Sequence, residues 1–170
     1  MQKAILILFS LFTITTVIHA QESNNGKQLW AKSYLNKKAP QLQVEKWLTA
    51  QPDTAGKFIL VDFWATWCGP CRKFIPSLNE FQKKFKDHLV VMGISNESEE
   101  VVHKMKTPVI EYSEAIDPKD RTSKELEIQG IPHVLLIDPK GIVRWEGFPS
   151  LQGNKLTEQT IATLIEKYKS

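Results

Sequence analysis

Apolar positions fall into runs and stripes whose spacing predicts alternating strands and helices. Two near-continuous apolar runs, 58–64 and 89–94, are typical of strands buried on both faces, as in the centre of a parallel sheet. Between them, large apolar residues recur at helical spacing and predict one amphipathic helix: Phe74, Leu78, Phe81 and Phe85. Alternation of strands with helices predicts an α/β fold.

The second half of the chain predicts a hairpin followed by a helix. A third strand is expected over 133–137, directly after Ile131-Pro132. The composition of 138–141 favours a turn, so 142–147 is expected to return antiparallel. Helices are also predicted over 29–35, 99–106 and 161–168.

The N-terminus has the pattern of a secretory signal peptide. A basic start at Lys3 is followed by an apolar stretch that ends at the small residue Ala20. We therefore expect a signal peptide at 1–20, an N-terminal extension at 21–38 and a domain at 39–170. This organisation predicts export to the periplasm or cell envelope of a bacterium, an oxidising compartment. An uncleaved N-terminal anchor is the alternative.

Composition and charge exclude several classes of protein. The chain has 22 Lys and Arg against 19 Asp and Glu, and this dispersed net charge of +3 does not favour nucleic-acid binding. With 42% hydrophobic and 24% charged residues, it is not a disordered or fibrous chain. Only the N-terminal stretch approaches membrane-spanning length. We expect a monomer that contacts the membrane only through its signal peptide or a donor protein.

The chemistry is carried by the only two cysteines, Cys68 and Cys71, at the predicted start of a helix. Free N–H groups and the helix dipole stabilise an anion there, so Cys68 is expected to be an activated thiolate. Cys71 lies about one turn later and can close a ring with it. Pro70 suits a first turn. Because Gly69 and Pro70 add no positive charge, the thiolate should be moderately stabilised, which favours a reductant.

Three other interpretations of the cysteine pair are less favoured. A structural disulfide gains more from closing a longer loop. A metal site needs further ligands, and the histidines beyond the signal segment, His88, His103 and His133, are not adjacent in sequence. A thiol peroxidase of the peroxiredoxin type has Pro and Thr at fixed positions before its cysteine, where this chain has Val61 and Ala65.

The cysteine loop and two prolines carry a resemblance to a known family. Residues 61–71, Val-Asp-Phe-Trp-Ala-Thr-Trp-Cys-Gly-Pro-Cys, resemble the active-site strand and loop of thioredoxin. Ile131-Pro132 resembles the thioredoxin cis-proline segment, and Pro76 matches the proline that bends the thioredoxin helix. With its signal peptide, the chain over 39–169 resembles the exported thioredoxin-like thiol–disulfide oxidoreductases of the TlpA/ResA group.

The resemblance implies a thioredoxin fold, with a central mixed β-sheet flanked by helices. The TlpA/ResA group carries a strand–helix insertion before the cis-proline segment, and 99–117 is expected to supply it. The resemblance implies no cofactor. It implies protein disulfide substrates, such as apocytochrome c during cytochrome c maturation or misoxidised exported proteins, and a membrane thiol electron donor.

The resemblance also assigns catalytic roles. Cys68 would attack a substrate disulfide, and Cys71 would resolve the mixed disulfide. Pro132 would be cis and face the cysteine pair. Asp62 would lie buried beneath Cys71 and act through water as its base, because an acid in an apolar strand is costly unless it has a function. The alternative for Asp62 is an edge residue with its carboxylate in water.

The expected substrate-binding residues surround the pair: Trp67, Gly69, Pro70, Ile131 and His133. For His133, a role beside the substrate thiolate competes with an exposed strand position, which we favour. Two departures from the related proteins stand out. Phe74 occupies a position where TlpA/ResA-like proteins often have Glu, and thioredoxin has a lysine on the neighbouring strand near what is here Met92.

These patterns predict an exported thiol–disulfide oxidoreductase that reduces disulfides of envelope client proteins through Cys68 and Cys71. A disulfide oxidase or isomerase is the second interpretation. The Gly-Pro pair argues against it but does not exclude it. A non-catalytic module that senses redox state or binds metal is the third.

Overall fold

A computed structural model of the protein describes residues 29–169. The predicted signal peptide, 1–20, and the first part of the predicted extension lie outside the described residues. The elements are β1 (Lys46–Trp47), β2 (Phe58–Trp64), α1 (Gly69–Phe85), β3 (Leu89–Ser95), α2 (Glu99–Lys104), β4 (Ser113–Ile116), α3 (Arg121–Glu125), β5 (His133–Ile137), β6 (Val143–Gly147) and α4 (Glu158–Tyr168). The predicted α/β architecture is confirmed.

One six-stranded mixed sheet, in the order β1-β4-β3-β2-β5-β6, organises the described chain. Strands β2, β3 and β4 are parallel, as the two apolar runs predict. Strand β5 joins β2 antiparallel, and β6 returns beside β5 as the predicted hairpin. The two strands that carry the candidate site, β2 and β5, are therefore neighbours in the middle of the sheet.

Side chains of β2 alternate between two apolar clusters, one on each face of the sheet. Leu60 and Trp64 belong to the cluster that contains the cysteines and the buried side of α1. Val61 and Phe63 belong to the cluster on the opposite face. Asp62 lies between Leu60 and Trp64 in the alternation, so its carboxylate is on the face of the cysteines.

Helix α1 covers one face of the sheet through a stripe that begins with a cysteine. Its buried residues are Cys71, Ile75, Leu78 and Phe81. The helix starts five residues before Phe74, because Cys68 caps its N-terminus through its side chain. Pro76 lies inside the helix and is exposed, so its missing N–H faces away from the sheet.

The predicted insertion is confirmed: α2 and β4 lie between β3 and the Ile131-Pro132 segment. The loop that joins them returns against α1. Arg72 Nη2 donates to the carbonyl of Thr107 at 2.9 Å. Asn79 donates to the carbonyl of Val109 at 2.9 Å and accepts from the N–H of Glu111 at 2.9 Å. The insertion is thereby attached to the outer side of the helix that carries the cysteines.

The helix predicted over 29–35 is wrong, because this segment is irregular in the structure. Its backbone binds the domain instead: Lys32 N–H donates to Leu126 O and Asn36 N–H to Val143 O, each at 2.8 Å. These bonds replace the internal hydrogen bonds of a helix. Within residues 29–169, no helix combines the length and the apolar character needed to cross a membrane.

Candidate active site

Cys68 and Cys71 form a disulfide at the N-terminus of α1, with Cα atoms 5.3 Å apart. Cys68 is the N-cap, and its Sγ accepts from the Cys71 N–H at 3.2 Å. Cys68 is 4% exposed to solvent, whereas Cys71 is fully buried. Cys68 is therefore the more accessible of the two cysteines to a partner thiol or disulfide.

The first turn of α1 keeps its positive end unopposed. Gly69 and Pro70 occupy this turn, both are exposed, and the turn contains no acidic residue. A thiolate on Cys68 would therefore accept backbone N–H groups with no competing anion. Trp67 precedes the pair and is 72% exposed, so its indole is available to a partner rather than packed in the core.

The loop before β5 closes the site from the other side. The Ile131–Pro132 peptide bond is cis, in agreement with the resemblance to thioredoxin. The carbonyl oxygen of Ile131 lies 3.8 Å from Cys68 Sγ. Pro132 is buried and Ile131 is half-buried. The strand order brings this loop to the cysteines, because β5 pairs directly with the strand that leads into α1.

Asp62 is fully buried on the cysteine face of β2, so the alternative of an edge residue in water is wrong. Neither carboxylate oxygen has a hydrogen-bond partner among residues 29–169. Burial raises the pKa of Asp62 from its ordinary value of 3.8 to about 8. The carboxyl group therefore holds a proton at neutral pH while the disulfide is closed.

The strand neighbour of Asp62 is Gly93, not Met92. Met92 packs in the cluster on the opposite face of the sheet. A Cβ atom at Gly93 would lie 2.9 Å from Nε1 of Trp64 and 3.1 Å from Cε2 of Tyr112. These two rings fill the space beside the acid that a side chain from β3 would otherwise take.

His133 is fully buried, so the favoured expectation of an exposed strand residue is wrong. It pairs with Phe63 in the sheet, and their ring centroids are 6.5 Å apart. Both rings lie on the face opposite the cysteines, because Asp62 and its partner Val134 point the other way. We therefore do not include His133 in the surface that contacts substrate.

The positions that would carry a peroxidase motif hold buried apolar residues, Val61 and Ala65. The nearest hydroxyl in the loop belongs to Thr66, and it donates to Glu97 at 2.8 Å. For a metal, residues 29–169 contain no group of three or more His, Cys, Asp or Glu side chains arranged to hold an ion.

A surface groove runs beside the disulfide between the first turn of α1 and the inserted loop. Its lining residues are Gly69, Arg72, Lys73, Thr107 and Pro108. Val109, the next residue of the loop, is 62% exposed. The groove is basic on its helix side and apolar on its loop side, and it leads away from Cys68.

Sequence reasoning missed three residues around the buried acid: Gly93, Tyr112 and Glu114. The signal for Gly93 was a glycine inside an apolar strand, which often marks a close approach by another group. Tyr112 and Glu114 carry no such signal, because only the pairing of β4 with β3 brings them beside Asp62.

Comparisons with known proteins agree with this geometry. The sequence profile of the AhpC/TSA family matches residues 35–146. Thiol-disulfide oxidoreductase ResA of Bacillus subtilis is 32% identical over 94 residues, which are 54% of this chain and 52% of ResA. Thioredoxin-like protein YneN of Bacillus subtilis is 29% identical over 96 residues, or 54% of this chain and 56% of YneN. The matched segments thus span about half the length of these relatives.

Among solved structures, the thioredoxin domain of a thiol-disulfide oxidoreductase from Bacteroides vulgatus is 26% identical, with a TM-score of 0.62. The match covers 80% of this chain and 98% of that domain. The thioredoxin fold and the resemblance to thioredoxin-like oxidoreductases are thereby confirmed. With its profile match over most of the described residues, the chain belongs to the AhpC/TSA family.

Proposed function

We propose that this protein is an exported thiol–disulfide oxidoreductase that reduces disulfides of client proteins in the cell envelope. The observation that carries the proposal is the position of Cys68. Its sulfur caps α1, is the less buried of the pair, and lies 3.8 Å from the carbonyl of Ile131. Residues 1–20 would direct export and 39–170 would form the catalytic domain.

The reaction needs only the two sulfurs and a client disulfide. The Cys68 thiolate attacks one client sulfur, a mixed disulfide forms, and the other client sulfur leaves as a thiolate. Cys71 loses its proton and attacks Cys68 Sγ. The Cys68–Cys71 disulfide closes and the second client thiolate leaves. The client gains two electrons, and this protein loses two.

Asp62 is proposed to exchange the proton of Cys71. Its pKa of about 8 in the disulfide form lies near the pKa of a thiol, about 8.5, so a proton passes between them at little cost. As a carboxylate it accepts the Cys71 proton while the client is reduced. As a carboxylic acid it returns that proton when the disulfide of this protein is itself reduced.

The client is proposed to bind across the disulfide, between Trp67 and the Ile131-Pro132 loop. The exposed indole of Trp67 offers an apolar contact, and the half-buried Ile131 flanks the sulfur. Pro132 has no N–H and therefore presents no unpaired donor to an extended client segment. Gly69 and Pro70 leave the approach to Cys68 open, and a client chain of apocytochrome c type would continue into the groove beside α1.

The direction of electron flow follows from the Gly-Pro pair and the proposed compartment. Gly69 and Pro70 add no positive charge between the two cysteines, so the reduced form is not strongly stabilised and the pair should act as a reductant. A reductant in an oxidising compartment needs resupply, and a membrane thiol donor is the proposed source. The same surface at Cys68 would receive both client and donor, one after the other.

The proposal is tested by trapping the mixed disulfide. Reduced Cys71→Ser protein is mixed with insulin, quenched in acid and analysed by mass spectrometry. We expect an insulin chain attached at Cys68, because the resolving thiol is missing. The wild-type chain should instead release reduced insulin. Insulin reduction by Cys68→Ser protein at the wild-type rate, or no adduct with Cys71→Ser, contradicts the proposal.

A further inference from the structure

In the proposed reaction, protons must move between the buried Asp62 and solvent. Asp62 and Cys71 both have an exposure of 0%. Each catalytic cycle nevertheless takes one proton out of this interior and brings one back. Direct exchange between the acid and water is blocked by the packed side chains of the cluster around α1. A buried acid that turns over needs a partner that connects it to the surface.

The sheet places a second carboxylate in the same cross-strand row. Asp62 pairs with Gly93 on β3, and Gly93 pairs with Glu114 on β4. Paired residues point to the same face, so both carboxylates lie on the face of the cysteines. Adjacent strands are about 4.8 Å apart, which puts the two backbone positions roughly 10 Å from each other. Gly93, between them, has no side chain to fill the gap.

Tyr112 fills that gap. Its ring lies against Gly93, where a Cβ would come within 3.1 Å of Cε2, and the Trp64 indole packs on the same spot. Tyr112 is 4% exposed, and its hydroxyl has no hydrogen-bond partner among residues 29–169. The Asp62 oxygens and Trp64 Nε1 are equally unpartnered. Buried unpaired polar groups in one cluster are rare and usually functional.

The charges of both acids act on the phenol. Burial, followed by the charges of Asp62 and then Glu114, raises the pKa of Tyr112 well above its ordinary value. The hydroxyl therefore stays protonated and remains a donor. Glu114 is only half-buried and so reaches water. Burial raises the pKa of Glu114, and His103 on α2 opposes that effect.

We infer that Tyr112 and Glu114 form the proton path between Asp62 and solvent. The inference rests on the proposed exchange activity. The oxidised structure shows no hydrogen bond between these groups, so the side chains must rotate into contact for each transfer. Outward, protonated Asp62 then donates to the Tyr112 oxygen while the hydroxyl proton of Tyr112 passes to the Glu114 carboxylate, which releases it to water. Inward, the three transfers reverse. The phenol is neutral before and after, and no oxidant or reductant is consumed.

The charged and titratable groups around Tyr112 are few. Asp62 faces it from β2, Glu114 from β4, and the cysteines lie in the same cluster from α1. His103 acts on Glu114 from α2. Thioredoxin has a lysine on the neighbouring strand that this chain lacks, and here the ring of Tyr112, from the inserted segment, packs against Gly93 on that strand.

The test uses the second phase of the reaction between the reduced protein and Ellman's reagent. The first thionitrobenzoate leaves when Cys68 is modified, and the second leaves when Cys71 attacks Cys68. Tyr112→Phe keeps the ring and removes the hydroxyl. We expect it to slow the second phase by at least about tenfold without slowing the first, as for lost proton transfer. Glu114→Gln should slow the same phase, and the double variant should be no slower than Tyr112→Phe.

Two control variants carry the same types of substitution at positions outside the proposed proton path. Tyr34→Phe removes a hydroxyl that packs on the opposite face, and Glu111→Gln neutralises an exposed acid of the same loop. Both should retain the wild-type second phase. A Tyr112→Phe second phase that matches wild type in rate and pH profile overturns the path. That result leaves the proposed function intact, whereas a wild-type chain with no second phase contradicts the proposed function.

Discussion

At the scale of the residue, the central feature is an acid with nothing to neutralise it. Asp62 is fully buried and no hydrogen bond from residues 29–169 reaches its carboxylate. Desolvation alone raises its pKa to about 8. Such a group costs stability whenever it must ionise, and we propose that its presence in an apolar strand serves proton exchange rather than packing.

This cost predicts how stability depends on pH. In the unfolded chain Asp62 ionises near 3.8, whereas in the folded, oxidised chain it keeps its proton up to about pH 8. The folded state therefore binds more protons in this window, and the free energy of unfolding falls as pH rises through it. Asp62→Asn removes this dependence. The free energy of unfolding of the variant, relative to that of wild type, should therefore rise by on the order of 4 kcal/mol from about pH 5 to about pH 8.5.

Urea unfolding of both oxidised proteins at the two pH values measures the difference, and contributions from other groups cancel in the comparison. Stability curves of wild type and Asp62→Asn that run parallel across the window would mean that Asp62 titrates normally in the folded chain.

The two cysteines and Asp62 stand out from their local surroundings in the sequence, whereas the cis-proline segment was predicted from the resemblance to thioredoxin. Residue patterns did not predict Tyr112 or the burial of His133. Alternation along a strand indicates which residues share a face, but only the pairing of strands decides what lies opposite them. Tyr112 reaches Asp62 through the register of β4 on β3, and no local pattern encodes that register.

At the scale of the element, segments with a clear apolar pattern were predictable, whereas β1 and α3 were not. Helix α1 and strands β2 and β3 repeat their apolar pattern often enough to be recognised. The two-residue β1 and the five-residue α3 are too short to show a period. Residues 29–35 resemble a helix in sequence, but hydrogen bonds to the domain hold them in another conformation.

The attachment of the insertion to α1 gives a prediction at this scale. Asn79 bonds both the carbonyl of Val109 and the N–H of Glu111. Asn79→Ala should therefore loosen the loop at the groove and lower the free energy of unfolding by about 1–2 kcal/mol. Hydrogen exchange should quicken at Glu111 and stay unchanged at the β2 amides. Glu80→Ala, on the exposed side of the same helix, is the control. Unchanged exchange at Glu111 in Asn79→Ala would show that these bonds do not hold the loop.

At the scale of the whole molecule, one sheet brings three separate segments to one place. The end of β2 leads into the cysteines, the loop before β5 supplies Ile131 and Pro132, and the insertion supplies Tyr112 and Glu114 on the face of Asp62. In the proposed reaction, the less buried Cys68 meets the client and the buried Asp62 exchanges the proton of Cys71. A partner protein would then cover Cys68 without closing the proposed proton path.

The measurement that tests the central claim most directly is the reduction potential of the Cys68–Cys71 pair. The protein is equilibrated in dithiothreitol or glutathione buffers, and the reduced fraction is quantified by alkylation. A value near that of thioredoxin, about −270 mV, is the predicted result for a reductant resupplied by a thiol donor. A value near about −120 mV would make the protein a donor of disulfides and would contradict the account.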